Sequence, residues 1–151
     1  AGQIEYKPRP WLIGQMPAFA HYADGLALGM NHQHGLPQNE TAEPAGDAEK
    51  IANGEKLIGD AGGFNCITCH AVGDTEATAV FEAPAINFAQ SAERLRKGYH
   101  HRWVLAPTRI DPDTKMPKYA DPEGVTQLSE PYDGNGPQQF EAIWQYIRAI
   151  K

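Results

Sequence analysis

Cysteine, positive charge and long apolar runs are all scarce in this sequence of 151 residues. Its two cysteines stand three positions apart, so the chain has no disulfide framework. The formal net charge of -6 argues against a nucleic-acid binder, because such proteins are usually basic. No apolar run approaches the roughly 18 residues of a membrane span, so we expect no transmembrane segment.

The beginning of the chain, Ala1-Gly2-Gln3, also lacks the basic and apolar regions of a signal peptide. This start fits a mature form, a cut fragment or a cytosolic protein, and the sequence alone leaves all three open.

Glycine and proline, in contrast, are plentiful, with 15 and 12 residues respectively. This composition predicts a fold rich in loops, and a small loop-rich protein often needs a large buried ligand to complete its core. The prolines are dense in residues 1–46, where periodic stretches are few. We therefore divide the chain into an irregular N-terminal extension, 1–46, and one domain, 47–151.

The periodic segments are helical and no strand pattern is evident, so we predict an all-α fold. Asp47 is a suitable N-cap for a first domain helix, and Pro137 suits the first position of a last one. The last helix would bury an apolar stripe. The expected helices are Tyr22–Met30, Ala48–Gly59, Ser91–Gly98 with Gly98 as its stop, His100–Leu105 ended by Pro107, and a last one with Phe140, Ile143, Trp144, Ile147 and Ile150 on one face.

The motif Cys66-Ile67-Thr68-Cys69-His70 has the C-x-x-C-H spacing of a haem c attachment site. Two thiols three residues apart on one turn can reach the two vinyl groups of a porphyrin, and His70 can then donate a nitrogen to its iron. A zinc site would need about four ligands, often two cysteine pairs. A dithiol redox site would need a strand before the motif and a helix after it.

The second axial ligand that we predict is Met116. It lies downstream of the motif in a loop, where Pro117 stiffens the backbone. Its thioether is a soft, neutral ligand that favours ferrous iron. The alternatives are Met16, which also precedes a proline, Met30, and the histidines His21, His32, His34, His100 and His101, of which His100 and His101 are expected at the surface or near the haem propionates.

From about residue 47 to 151 the chain resembles the monohaem class I cytochromes c of bacteria. The resemblance rests on the order of its parts: a helix with Gly54, the C-x-x-C-H motif, Pro84-Ala85-Ile86, Met116-Pro117 and an aromatic last helix. It implies a cytochrome c fold of a few helices and long loops around one covalent haem, with no enzymatic activity of its own.

Particular residue roles follow from this resemblance. Pro84 would accept a hydrogen bond at its carbonyl from the ring nitrogen of His70 that does not bind iron. Gly54 would let the first domain helix approach the last one near Trp144 or Tyr146. Because families of this type receive their haem in an oxidising compartment, we expect a periplasmic or other extracytoplasmic location.

Charge is distributed unevenly along the chain. Residues 38–82 hold nine acids and two bases, whereas residues 94–118 hold seven bases and two acids. Arg94, Arg102 and the indole N–H of Trp103 are plausible partners of haem propionates. The remaining bases would either steer an acidic redox partner or form a solvated face.

The favoured function is electron transfer between redox partners. The alternatives are an electron-transfer domain of a larger dehydrogenase or oxidase complex, which the extension favours, and a haem sensor or enzyme whose sixth iron ligand is labile. A copper or zinc site at His32-Gln33-His34 is a further, weaker hypothesis. The oligomeric state has no signal in the sequence.

Overall fold

The computed structural model describes residues 20–36, 42–79 and 85–150. The chain divides into two units, Ala1–Pro44 and Ala45–Lys151. The first unit has a 3₁₀ turn at Ala20–Tyr22 and helix α1 at Ala23–Gln33, where we expected a helix at Tyr22–Met30. None of the residues of α1 is buried.

The second unit is built from five α-helices and one 3₁₀ turn in its described residues. The all-α prediction is confirmed at this level, since these ranges contain isolated β-bridges and no strand. None of the helices in the described ranges is both long and apolar enough to span a bilayer. The elements are α2 at Ala48–Ile58, the 3₁₀ turn at Cys66–Thr68, α3 at Phe88–Arg94, α4 at Lys97–Leu105, α5 at Pro107–Ile110 and α6 at Gly136–Ala149.

Helix α2 begins as its sequence predicts. The carboxylate of Asp47 accepts a hydrogen bond of 2.9 Å from the backbone N–H of Lys50 and so satisfies one free donor of the first turn. The helix ends at Ile58, one residue before the glycine at which we expected it to end.

The close crossing of α2 and α6 is the centre of the second unit. A Cβ at Gly54 would overlap the backbone carbonyl of Ala142 and would lie 2.7 Å from the Cβ of Tyr146. The predicted close approach is therefore confirmed, and only glycine permits it. The stripe on α6 is buried as expected, except that Ile150 follows the helix and is half-buried; the core includes Leu57, Ile58, Phe140, Ile143, Trp144 and Ile147.

The prediction for the middle helices was wrong at their boundaries. Helix α3 starts at Phe88 because Asn87 caps it, and it ends at Arg94. Two extended residues, Leu95 and Arg96, make the break that we assigned to Gly98, which instead lies inside α4. Pro107 follows α4 as expected but begins α5, because proline fits a first helical turn.

A buried amide attaches the irregular segment 120–136 to α6. Gln139 is fully buried, and its Nε2 donates to the carbonyls of Leu128 at 2.7 Å and Pro131 at 2.9 Å. Its Oε1 accepts a hydrogen bond of 2.6 Å from the hydroxyl of Thr126. The amide is thus satisfied without solvent, and it holds a long loop in one position.

Candidate functional site

The C-x-x-C-H motif forms a single tight turn. Asn65 has a left-handed backbone with φ of 60°, and it turns the chain into the 3₁₀ helix that starts at Cys66. The N–H groups of Cys69 and His70 both donate to the carbonyl of Cys66, at 3.1 and 3.0 Å. Because residues three apart eclipse each other in a 3₁₀ turn, Cys66 and Cys69 project from the same side. Both thiols are free and half-buried.

The loop that follows the motif is hydrogen-bonded back onto it. Four carbonyls of the motif and its next residue accept from backbone N–H groups, so the turn is held from outside as well as from within. The bonds run from Thr78 to Ile67 (3.1 Å), from Ala79 to Thr68 (2.9 Å), from Ala85 to Cys69 (3.2 Å) and from Phe88 to Ala71 (2.9 Å).

The imidazole of His70 is fixed in one tautomer. Its Nδ1 lies 2.7 Å from the carbonyl oxygen of Ile86, and since a carbonyl only accepts, Nδ1 carries the proton. The lone pair is then on Nε2, the atom that would bind a metal. Burial lowers the pKa of His70, opposed by this hydrogen bond. The ring stacks on Phe88 with centroids 4.5 Å apart.

Pro84, the residue that we expected to accept from His70, lies outside the described residues. The described acceptor is Ile86, two residues later along the same segment. His70 therefore makes the predicted kind of hydrogen bond to the Pro84-Ala85-Ile86 segment, and the carbonyl that accepts it belongs to Ile86.

Asn87 was missed at the sequence level and is central to this site. Its Oδ1 accepts from the N–H groups of Ala89, at 2.9 Å, and Gly73, at 3.0 Å. Its Nδ2 donates to the carbonyl of Gly73 at 2.7 Å. One side chain therefore caps α3, clamps the loop after His70 and holds the neighbouring Ile86. An Asn before an apolar helical run is an N-cap signal that could have found it.

The chemistry of the thiols argues against a dithiol redox site. Burial raises the pKa of Cys66 to about 12, whereas the attacking cysteine of such a site has a lowered pKa. In the described ranges the motif also follows no strand, which a thioredoxin-like site would require.

Tyr119 lies beside the two cysteines. Burial and, to a smaller extent, the negative charges that Cys66 and Cys69 would carry as thiolates together raise the pKa of Tyr119 to about 12. Its ring packs against Phe64 with centroids 5.0 Å apart. The segment that contains Met116 is thus brought to the C-x-x-C-H turn.

Met116 is half-buried against the core and accepts one specific hydrogen bond. The indole Nε1–H of Trp103 donates to its Sδ at 2.9 Å. The single donor of the indole is thus engaged by Met116, and the role of Trp103 as a propionate partner stays a prediction. Arg94 and Arg102, the other two predicted partners, are both exposed.

One of the two adjacent histidines of α4 is not at the surface. His100 is 5% exposed and packs on Trp144 with ring centroids 5.0 Å apart, so the surface alternative is wrong for His100, and a position near the propionates stays a prediction. Burial, followed by the nearby His101, lowers the pKa of His100 to about 3. His101 Nε2 lies 3.3 Å from Glu141, whose carboxylate also pairs with Lys97 at 2.8 Å.

The other ligand candidates are not gathered into a site. Met16 lies outside the described residues, and Met30 is 61% exposed on α1. Over residues 20–36, 42–79 and 85–150, no three His, Cys, Asp or Glu side chains form a group able to hold a metal ion. The hypothesis of a copper or zinc site at His32 and His34 therefore gains no support, and the same is true of zinc at the cysteines.

Comparison with models of known protein families and with curated proteins gives no match for this chain.

Proposed function

We propose that this chain is a c-type cytochrome with a class I fold, which carries one covalent haem c and transfers electrons between redox partners. The observation that carries the proposal is the geometry of one turn. Two free thiols project from the same side of it, and the histidine that follows has its Nδ1–H engaged and its Nε2 lone pair available.

The side chains that could hold a haem in this chain are of the kinds that a haem c requires. Cys66 and Cys69 would form the two thioether bonds, and the Nε2 of His70 and the Sδ of Met116 would bind the iron. Tyr119 connects the two halves of the set, because its ring packs on Phe64, two residues before Cys66, and it stands three residues after Met116. When bound, haem supplies an iron that gains and loses one electron at a potential set by its axial ligands.

The rest of the chain keeps these donors still. The carbonyls of the cysteine turn are engaged by the following loop, and Phe88 supports the ring of His70. Ligands that keep their positions when the charge changes make electron transfer fast. The half-buried apolar residues around the motif, such as Ile67 and Val72, would exclude water from the ring.

The exposed basic side chains indicate the charge of the redox partner. Arg94, Arg102, Arg109 and Lys118 are all exposed on the chain between α3 and Tyr119. Positive side chains on this side would guide an acidic redox protein, whether a separate protein or a permanent part of a larger oxidoreductase. Covalent attachment to thiols further points to an extracytoplasmic location.

A haem sensor with a labile sixth ligand is the second candidate. The observation that favours it is the bond from Trp103 to Met116, because a sulfur that already has a partner can leave iron at lower cost.

The test is to produce the chain in a host that attaches haem to C-x-x-C-H motifs and to measure its mass and its oxidised and reduced spectra. We expect the mass to rise by one haem that organic extraction does not remove. We also expect the weak red band of methionine bound to ferric iron. The double variant Cys66→Ser, Cys69→Ser should carry no covalent haem.

Met116→Leu should lose the red band, and the control Met30→Leu, in an exposed methionine, should keep it. A wild-type protein without covalent haem would refute the proposal. A haem-bearing protein that lacks the band and binds carbon monoxide when reduced would favour the sensor.

A further inference from the structure

We propose that Trp103 is a positioning residue for Met116, and that its indole N–H both holds the thioether in place and raises the reduction potential of the bound haem. This inference rests on the proposed function. It starts from one contact, the hydrogen bond of 2.9 Å from Trp103 Nε1 to Met116 Sδ.

The donor is held by a rigid element. Trp103 lies on α4, which is fixed to α6 by the ion pair of Lys97 with Glu141 and by the packing of His100 on Trp144. Tyr99, one helical turn before Trp103, lies parallel to its ring with centroids 6.2 Å apart. The indole therefore has little freedom to follow the sulfur if the sulfur moves.

The acceptor, in contrast, lies on an irregular segment. Residues 113–119 are in no helix or bridge. The backbone N–H of Met116 donates to the hydroxyl of Thr114 at 3.3 Å, which is longer than a typical N–H···O bond. A methionine side chain has three rotatable bonds, so its sulfur needs an external contact to stay in one place. The indole of Trp103 provides it.

The chemistry of the two groups allows the bond to persist beside a metal. Indole N–H is only a donor, and a thioether sulfur has two lone pairs. One pair can accept from Trp103 while the other binds iron. The N–H dipole has its positive end at the sulfur, so it withdraws electron density from the ligand and disfavours the extra positive charge of ferric iron. The hydrogen bond therefore favours the reduced state and raises the potential.

The experiment uses haem-loaded protein in three forms: wild type, Trp103→Phe, and the matched control Tyr99→Phe, which changes the neighbouring ring on the same helix. The midpoint potential is measured by spectroelectrochemical titration and thermal unfolding is followed in parallel. We expect Trp103→Phe to shift the one-electron equilibrium about fivefold toward the oxidised form, the size of one net hydrogen bond. Tyr99→Phe should leave the potential unchanged.

A second measurement does not depend on Trp103→Phe folding well. In reduced, ¹⁵N-labelled protein, the indole N–H of Trp103 should exchange slowly with solvent in the wild type. In Met116→Leu, where no acceptor remains, it should exchange at least about fivefold faster.

The outcomes separate the two proposals. If the wild type shows the methionine–iron band but Trp103→Phe leaves the potential at the Tyr99→Phe value, the inference fails and the cytochrome assignment stands. A lower unfolding temperature with an unchanged potential would likewise reduce Trp103 to a packing residue and overturn the inference. A wild type with no covalent haem, or with no such band, overturns the inference together with methionine ligation.

Discussion

The histidine side of the site, residues 65–79 and 85–88, and the methionine side, residues 114–120, are held in different ways. The histidine side is stabilised by backbone hydrogen bonds and by Asn87, all between residues close in the chain. The methionine side is held mainly by side chains from elsewhere, through Trp103 to Met116 and Phe64 to Tyr119.

The histidine side therefore depends on local contacts, whereas the methionine side depends on the fold as a whole. A turn that satisfies its own carbonyls can keep its shape while the packing around it changes. A segment held by distant side chains moves when the helices that bear them move. Changes that displace the helices should therefore displace Met116 more readily than His70.

The largest expected effect comes from substituting the two proposed iron ligands, His70 and Met116. His70→Gly should lose the six-coordinate spectrum entirely, because the hydrogen-bonded turn cannot bring another donor to the same position. Met116→Gly should keep histidine ligation and bind carbon monoxide in the reduced state. Absorption spectra of the two purified variants decide this, and an unaltered spectrum in His70→Gly would contradict the ligand assignment.

Asn87→Ala should cost about 2–3 kcal/mol of unfolding free energy, because it removes a helix cap and leaves both polar groups of Gly73 without their partner. The measurement is denaturant unfolding. Asn53→Ala is the control, since it removes a single hydrogen bond of 3.0 Å to Tyr132 and should cost about 1 kcal/mol. Equal losses would mean that Asn87 is no special anchor of the histidine side.

Acid should weaken the methionine side first. The pKa of His100 is about 3 in the folded protein against an ordinary 6.5, so the unfolded chain binds a proton that the folded one excludes. Its contribution is present above pH 6.5 and is lost as the pH falls toward 3, at up to about 1.4 kcal/mol per pH unit. His101, Lys97 and Glu141 face the same region, and Glu141 partly opposes the effect.

The check is the pH dependence of unfolding in the wild type and in His100→Phe, which should be flatter between these values. The methionine–iron band should fade at a higher pH than the covalent His70-ligated form is lost. Parallel curves for the two proteins would show that His100 does not titrate on unfolding.

Thr114→Val should have the smallest effect, about 0.5 kcal/mol or less, because the bond that it removes is long and only partly buried. The methionine–iron band should be unchanged. If this variant lost the band, the local backbone rather than Trp103 would be what positions Met116.

Local signals in the sequence predicted much of this arrangement. The cap at Asp47 and the stripe on α6 are visible as residue types at fixed spacings, and the structure confirms them. The close approach at Gly54, which the resemblance implies, is confirmed as well. The motif from Cys66 to His70 could likewise be assigned to one turn from its spacing alone.

Contacts between distant residues were the ones that sequence reasoning missed. The position of His100 against Trp144 depends on how α4 crosses α6, and the hydrogen bond from Trp103 to Met116 likewise joins α4 to a segment that carries no periodic pattern. The boundary error at Gly98 had a different cause. The prediction treats Gly98 as the end of a helix, whereas Gly98 lies inside α4. The side-chain cap of Asn87 and the extended residues Leu95 and Arg96 set the helix boundaries instead.

The crossing of α2 and α6 also determines when, during synthesis, the core of this protein can form. The hydrogen bond from the Asp47 N–H to Gln145 joins residues 98 positions apart, so it forms only after Gln145 has left the ribosome. Loops of that length close slowly compared with a single turn. During synthesis the two thiols therefore lie at first on an unfolded chain, accessible to whatever modifies them, before the last helix packs and closes the core.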